Sequence, residues 1–146
     1  MLMTSWNQHP LVDKYDVSSV GAWGCAAAPL GNDLIDAVEM RTKIPIREGY
    51  GMTESTCVIS YARRENLKRG TVGPLMPNMS AKIVDGELLI KGPNVMKGYL
   101  RNPKADMAAF TEDGWMRTGD IARFDDDDLF IIDRVKEVSV SVRGLD

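Results

Sequence analysis

Two rhythms of hydrophobic and polar residues divide the 146-residue chain. In the first half, residues 17–25 (Val-Ser-Ser-Val-Gly-Ala-Trp-Gly-Cys) read as a short strand running into a small-residue turn. Ala26-Ala27-Ala28-Pro29-Leu30-Gly31-Asn32-Asp33 then opens a helix. Leu34, Ile35, Val38 and Met40 fall near the 3.6-residue period of an amphipathic helix, with Asn32 or Asp33 as N-cap. Ile44-Pro45-Ile46 resumes as a strand that Gly49-Tyr50-Gly51 ends. Strand, helix, strand in succession predicts an α/β fold with a parallel sheet.

After Gly70 the period shortens. Ser80–Val84 and Glu87–Lys91 flank Asp85-Gly86, and Asp-Gly between two β-rich runs predicts a two-residue hairpin. Lys104–Phe110 reads as a short helix with a proline at its first turn. Trp115–Arg117, Ile121–Phe124 and Leu129–Asp133 read as further short strands. The four aspartates 125–128 fit a solvated turn better than a metal site, because consecutive carboxylates on a turn rarely converge on one ion. No internal repeat is visible, and the texture changes near residue 75.

Composition narrows the function. Eighteen basic against twenty-one acidic residues give a net charge of −3, which offers no case for a nucleic-acid or membrane-surface partner. His9 is the only histidine, so neither a Ser-His-Asp triad nor a multi-histidine metal site is expected from this chain. Cys25 and Cys57 form no CxxC and no disulfide framework, which points to a reducing compartment. No run approaches the ~20 apolar residues of a membrane span, and the first ten residues lack the regions of a signal peptide. The chain ends Arg143-Gly-Leu-Asp146, neither a peroxisomal nor an ER-retention address. A cytoplasmic location is expected.

Two segments carry candidate chemistry. In Gly49-Tyr50-Gly51-Met52-Thr53-Glu54-Ser55, the glycines allow close backbone approach to a ligand and the tyrosine offers a flat face for a base. The hydroxyl and carboxylate that follow suit a phosphate and a hard cation such as Mg²⁺. The competing reading is a strand-to-loop turn whose Tyr and Met fill the core. In Trp115–Ile121, Asp120 follows a glycine at a strand end, where it could accept hydrogen bonds from a ribose diol or merely close an Asx-type turn. Asp133–Glu137 alone reads as a solvated linker.

In combination these segments resemble one family. Cys25–Leu30, Gly49–Glu54, Gly86–Leu88 with Gly92-Pro93, Trp115–Asp120 and Asp133–Glu137 follow the order and approximate spacing of the adenylate-forming enzymes, most like 4-coumarate–CoA ligases and related acid–CoA ligases. The likeness runs from about Trp6 to Glu137. It implies a fragment of a large adenylate-forming domain: a sheet-and-helix subdomain over residues 1–75, a β-barrel-like subdomain over 76–133, and over 134–146 the hinge and stub of a lid domain. The implied reaction joins a carboxylic acid to ATP, releases pyrophosphate and passes the acyl group to coenzyme A. By resemblance, Ala27 and Ala28 present backbone to the adenine and Tyr50 stacks on it. Gly49, Gly51 and Met52 complete the nucleotide-binding loop, Thr53 contacts the α-phosphate and Glu54 holds Mg²⁺. Asp120 and Arg134 bind the ribose hydroxyls, Lys136 sits at the hinge, and Ala26 with the Gly49–Gly51 backbone lines the acyl pocket.

The chain departs from the family pattern in places. The family's phosphate loop has no counterpart in residues 1–30, and its lid lysine has none before Asp146. Val140 and Asp146 stand where related ligases carry a lysine and a glutamine. Glu48 replaces a common glutamine, Ala26 a common glycine, and the loop before Gly86 is shorter by roughly ten residues. The alternative expectation is therefore a catalytically inactive remnant that binds only the adenosine part of a nucleotide.

Overall fold

The computed structural model describes residues 2–26, 30–65 and 67–134. Among them, helix α1 (Leu2–Gln8) and a 3₁₀ turn (Pro10–Lys14) precede strand β1 (Trp23–Cys25), helix α2 (Asn32–Thr42), strand β2 (Ile46–Tyr50) and strand β3 (Ser60–Tyr61). Strands β4 (Ser80–Val84) and β5 (Glu87–Lys91) follow, then helix α3 (Pro103–Ala109) and strands β6 (Met116–Asp125) and β7 (Asp128–Arg134). β1 pairs with β2 in parallel, as the strand–helix–strand order requires, and β3 adds antiparallel to β2. β4 to β7 form a second, antiparallel sheet in chain order. No helix among the described residues is long and apolar enough to cross a membrane.

Several elements differ in extent from their sequence patterns. The extended run expected over 17–25 pairs only at Trp23–Cys25, because Asp16 Oδ1 accepts from Ser18 N (2.9 Å) and Val20 N bonds to Val17 O (2.9 Å), folding the segment into a turn. α2 takes Gly31, rather than Asn32 or Asp33, as its N-cap. Asp33 lies instead in the first turn and Arg41 in the last, where each charge opposes the helix dipole. Ile35 and Val38 face Ile46 in a small core, whereas Met40 is exposed. Pro45 precedes β2, although its carbonyl accepts from Trp23 N of β1 (2.8 Å), and β2 runs on through Gly49 and Tyr50, which were expected to end it. The two short strands expected at 115–117 and 121–124 are one continuous β6. A bulge, with Gly119 at φ +73°, keeps the strand unbroken where a glycine suggested a stop.

The predicted hairpin is present in register, Val84 opposite Glu87, with Asp85 at φ +51° and Gly86 at φ +85°. Positive φ at both central residues is the type I′ requirement, which explains the Asp-Gly pair. β5 is the central buried strand: Leu88, Leu89 and Ile90 are all buried, so alternation fails there. The aspartate run is the β6–β7 turn, and Lys68 Nζ lies 3.3 Å from Asp128 and 3.8 Å from Asp126. Among the described residues no group of three or more His, Cys, Asp or Glu could hold a metal ion.

The two sheets share a core. Ile59, Met79, Leu88, Ile90, Met116, Ala122 and Leu129 are buried together, and Tyr50, Met52 and Val72 pack on them. The connecting segment is locked to β7: Val72 N bonds to Leu129 O (2.9 Å), Leu129 N to Gly73 O (2.9 Å) and the Thr71 hydroxyl to Leu129 O (2.7 Å). Gly73 sits at φ +81° with no room for a side chain, since a Cβ there would meet Tyr61 O at 2.3 Å and Ala62 Cα at 2.4 Å. Gly70, at φ +75°, faces open space. Gly70→Ala should therefore cost only the left-handed strain of ~1–2 kcal/mol, and Gly73→Ala a further ~1–3 kcal/mol for the displaced backbone. Denaturant unfolding of the two variants measures this, and equal losses would contradict the close packing at Gly73.

Candidate functional site

β2 delivers Glu48, Gly49 and Tyr50 to the edge of the shared core, and the chain then turns sharply. Cys57 N and Ser55 N both bond to Met52 O, at 3.2 and 3.0 Å, which brings Cys57 back against Gly51. A Cβ on Gly51 would lie 1.5 Å from the Cys57 carbonyl oxygen. A Cβ on Gly49 would lie 2.5 Å from the Tyr61 ring, and one on Gly24 2.7 Å from the Tyr61 hydroxyl. Both glycines of the Gly-Tyr-Gly motif are thus required by the chain's own packing: the space beside them is filled by Tyr61 and by the 57–58 backbone. The Arg47 guanidinium stacks on that ring, 4.5 Å from its centre, and its Nε donates to Ala62 O (2.7 Å).

Tyr50 and Asp120 meet although 70 residues separate them. The Tyr50 hydroxyl donates to Asp120 Oδ2, and Arg134 Nε donates to Oδ1 (3.2 Å) from the paired position on β7. The bulge in β6 aims Asp120 inward. There the Thr118 hydroxyl donates to Leu88 O (2.8 Å) and accepts from Asp120 N (3.1 Å), while Gly119 N donates to Glu87 Oε1 (3.1 Å). Asp120 is only 6% exposed, so its carboxylate needs the Tyr50 and Arg134 donors. A carboxylate has about four acceptor sites, so two donors leave capacity for a ligand hydroxyl. Burial, and next the Asp120 carboxylate, push the Tyr50 phenol well above the usual tyrosine range; it stays a donor at neutral pH.

Thr53 and Glu54 form the 3₁₀ turn just beyond β2, with Thr53 exposed and Glu54 half-buried. No hydrogen bond links them to the Tyr50–Asp120–Arg134 cluster among the described residues; Glu54 Oε1 accepts instead from the Tyr99 hydroxyl (2.8 Å). Ala26 is exposed at the end of β1, one residue beyond the Cys25↔Glu48 pair. Ala27, Ala28 and Lys136, together with Val140 and Asp146, lie outside the described residues. Glu48 is lifted above the ordinary carboxylate range by burial, with a Leu30 backbone hydrogen bond and the Arg69 charge opposing. It lines a cavity of about 150 Å³ with Ile35, Glu39, Lys68 and Arg69, on the α2 side of the sheet and apart from Tyr50 and Asp120. Tyr99 and Asn94 carried no signal in the sequence, since each lies in an irregular segment; Thr118 falls within the Trp115–Ile121 segment but carries no expected role there.

The chain matches the family model described as AMP-binding enzyme over residues 1–100. It is 38% identical to luciferin 4-monooxygenase of Photinus pyralis over 151 aligned residues, covering 94% of this chain and 28% of that protein. It is 43% identical to 4-coumarate–CoA ligase 1 of Petroselinum crispum over 150, covering 88% and 27%. The fold superposes on apo MatB of Rhodopseudomonas palustris with a TM-score of 0.83 at 29% identity, over 92% of this chain and 29% of that one. A malonyl-CoA ligase complex holding methylmalonyl-CoA and AMP superposes with a TM-score of 0.77 at 31% identity, over 91% and 31%. The chain thus spans a little over a quarter of the length of the curated relatives it matches. A match over residues 1–100, and relatives at about 40% identity along most of its length, establish that this chain belongs to the AMP-binding enzyme family.

Proposed function

We propose that the chain is the part of an acid–CoA ligase that holds the adenosine and α-phosphate of ATP while a carboxylic acid is activated. The reaction is the acid's attack on the α-phosphorus with loss of pyrophosphate, then thioester formation from the acyl-adenylate by coenzyme A with release of AMP. The observation that carries the reading is the meeting of Tyr50, Asp120 and Arg134 at one buried carboxylate. The Asp120 acceptor sites match a ribose diol, with Arg134 at its exposed side and the Tyr50 ring as a face for the adenine. Ala27 and Ala28 would border the base, and Gly49, Gly51 and Met52 hold the loop in place beneath it. Thr53 is assigned to the α-phosphate, Lys136 to the hinge, and Ala26 with the Gly49–Gly51 backbone to the acyl side.

Glu54 is assigned to Mg²⁺. Its residue type fits, because Mg²⁺ is commonly held by one or two carboxylates together with substrate phosphates and water. When bound, Mg²⁺ supplies positive charge beside the α-phosphate as negative charge develops there. The Thr53 hydroxyl would donate to a phosphate oxygen in the same region.

Two outcomes are expected. In Mg²⁺-free buffer, AMP and ATP should bind with affinities within a few fold of each other, because the assigned residues reach only the adenosine end and the α-phosphate. Asp120→Ala should weaken both by about 1–3 kcal/mol, roughly 5- to 150-fold, and Asp120→Asn, which keeps the shape, should lose less. Calorimetric titration measures this; much tighter ATP binding, or wild-type affinity in both variants, would overturn the adenosine assignment. The second outcome concerns pH. Because the folded-state pKa of Tyr50 is raised, its contribution is fully present below the unfolded value of ~10 and is lost as pH climbs above it. Above pH 10, wild-type stability should fall more steeply than that of Tyr50→Phe, by about 1.4 kcal/mol per pH unit. Below pH 9 the two profiles should run parallel, and parallel profiles throughout would contradict the buried phenol.

A further inference from the structure

The segment between β5 and α3 belongs to no strand, yet its hydrogen bonds converge on the turn that carries Thr53 and Glu54. Asn94 Nδ2 donates to Ser55 O (2.8 Å) and to Val58 O (3.3 Å), and the Thr56 hydroxyl donates to Asn94 O (2.8 Å). Met96 N donates to the Glu54 backbone carbonyl (2.7 Å), and the Tyr99 hydroxyl to the Glu54 carboxylate (2.8 Å). The same strap therefore grips Glu54 at both ends, main chain and side chain. It is anchored in turn on α3, where Asp106 Oδ1 accepts from Tyr99 N (2.7 Å). Gly98, at φ +149°, lies against that same side chain, so a Cβ there would stand 2.9 Å from the Asp106 oxygen and displace it.

We infer that Tyr99 is a positioning residue: its hydroxyl fixes the Glu54 carboxylate in the orientation that receives a divalent cation accompanying the nucleotide. The inference rests on the assignment of Glu54 to Mg²⁺. A glutamate side chain has several rotatable bonds, and ordering them on ligand binding costs entropy. A phenol donor on Oε1 orders the side chain beforehand and still leaves acceptor sites on the carboxylate. Tyr99 is a neutral donor, so it does so without placing a competing positive charge beside the cation. The constraint comes from α3, more than forty residues further along the chain than Glu54.

The test is calorimetric titration of the full 146-residue chain with ATP, in EDTA and in Mg²⁺, for wild type, Tyr99→Phe and Glu54→Gln, with melting temperatures alongside. The increment that Mg²⁺ adds to ATP affinity is the quantity of interest. In Glu54→Gln it should disappear. In Tyr99→Phe it should shrink by roughly 3- to 10-fold while the EDTA affinity and the melting temperature match wild type. With Mn²⁺ in place of Mg²⁺, the electron spin resonance spectrum of the ternary mixture should change in Tyr99→Phe as well. A full increment in Tyr99→Phe beside a lost one in Glu54→Gln would overturn the role of Tyr99 and leave Glu54 standing. A fall in affinity that is equal with and without Mg²⁺ would mark a merely structural hydroxyl and overturn it too. A full increment in Glu54→Gln, or none in wild type, would bring down the Glu54 assignment and this inference with it.

Discussion

A single buried carboxylate joins the two sheets where β2 ends. Asp120 belongs to the four-stranded sheet and Tyr50 to the three-stranded one, and the hydrogen bond between them closes the shared core where β2 runs out. A carboxylate 6% exposed is tolerable only with donors on its oxygens, and the chain supplies one for each: Tyr50 on Oδ2 and, from the neighbouring strand, Arg134 on Oδ1. Without Asp120 the phenol would lose its carboxylate acceptor, and without Tyr50 the aspartate would keep Arg134 as its side-chain donor. The bulge at Gly119, the Thr118 hydroxyl and the Glu87 carboxylate all serve to present that one group at the required angle.

The motifs were readable where local chemistry alone decides the conformation. Asp85-Gly86 demanded a turn with two positive φ angles, and the register on either side followed. The spacing of Ile35 and Val38 located the buried face of α2. Where long-range packing decides, the sequence was ambiguous or misleading. Gly119 reads locally as a strand break, but the partner strands on both sides hold β6 together through it. The glycines at 49 and 51 suggest room for a ligand, yet Tyr61 and the 57–58 backbone take that space, and nothing near those glycines in sequence announces Tyr61. Tyr99 lies in an irregular stretch without periodicity, and only the folded chain shows that it reaches Glu54.

Arg41 illustrates the same division at the amino-terminal end. As a last-turn residue of α2 it satisfies the helix dipole, which periodicity and charge placement make legible. Its guanidinium also forms a two-point contact with Asp13, at 3.0 and 2.7 Å, and bonds to His9 O at 3.1 Å, gathering the first turns of the chain against α2. Those contacts reach back about thirty residues and leave no trace in any local pattern.

The two-residue turn at Asp85-Gly86 bears on the order in which the molecule assembles. Loop-closure entropy grows with the logarithm of loop length, at about 0.6 kcal/mol for each doubling. Replacing this turn by one of about a dozen residues would therefore cost the hairpin ~1.5 kcal/mol before any contact forms. With the short turn, β4 and β5 are close in sequence as well as in space, a locality that β6 and β7 share through their equally short Asp125↔Asp128 connection. Contacts of low sequence separation form early in folding. The two hairpins, β4–β5 and β6–β7, are thus suited to form before the sheet is completed by the β5–β6 pairing, and the last union to form would be the one spanning 70 residues, between Tyr50 and Asp120.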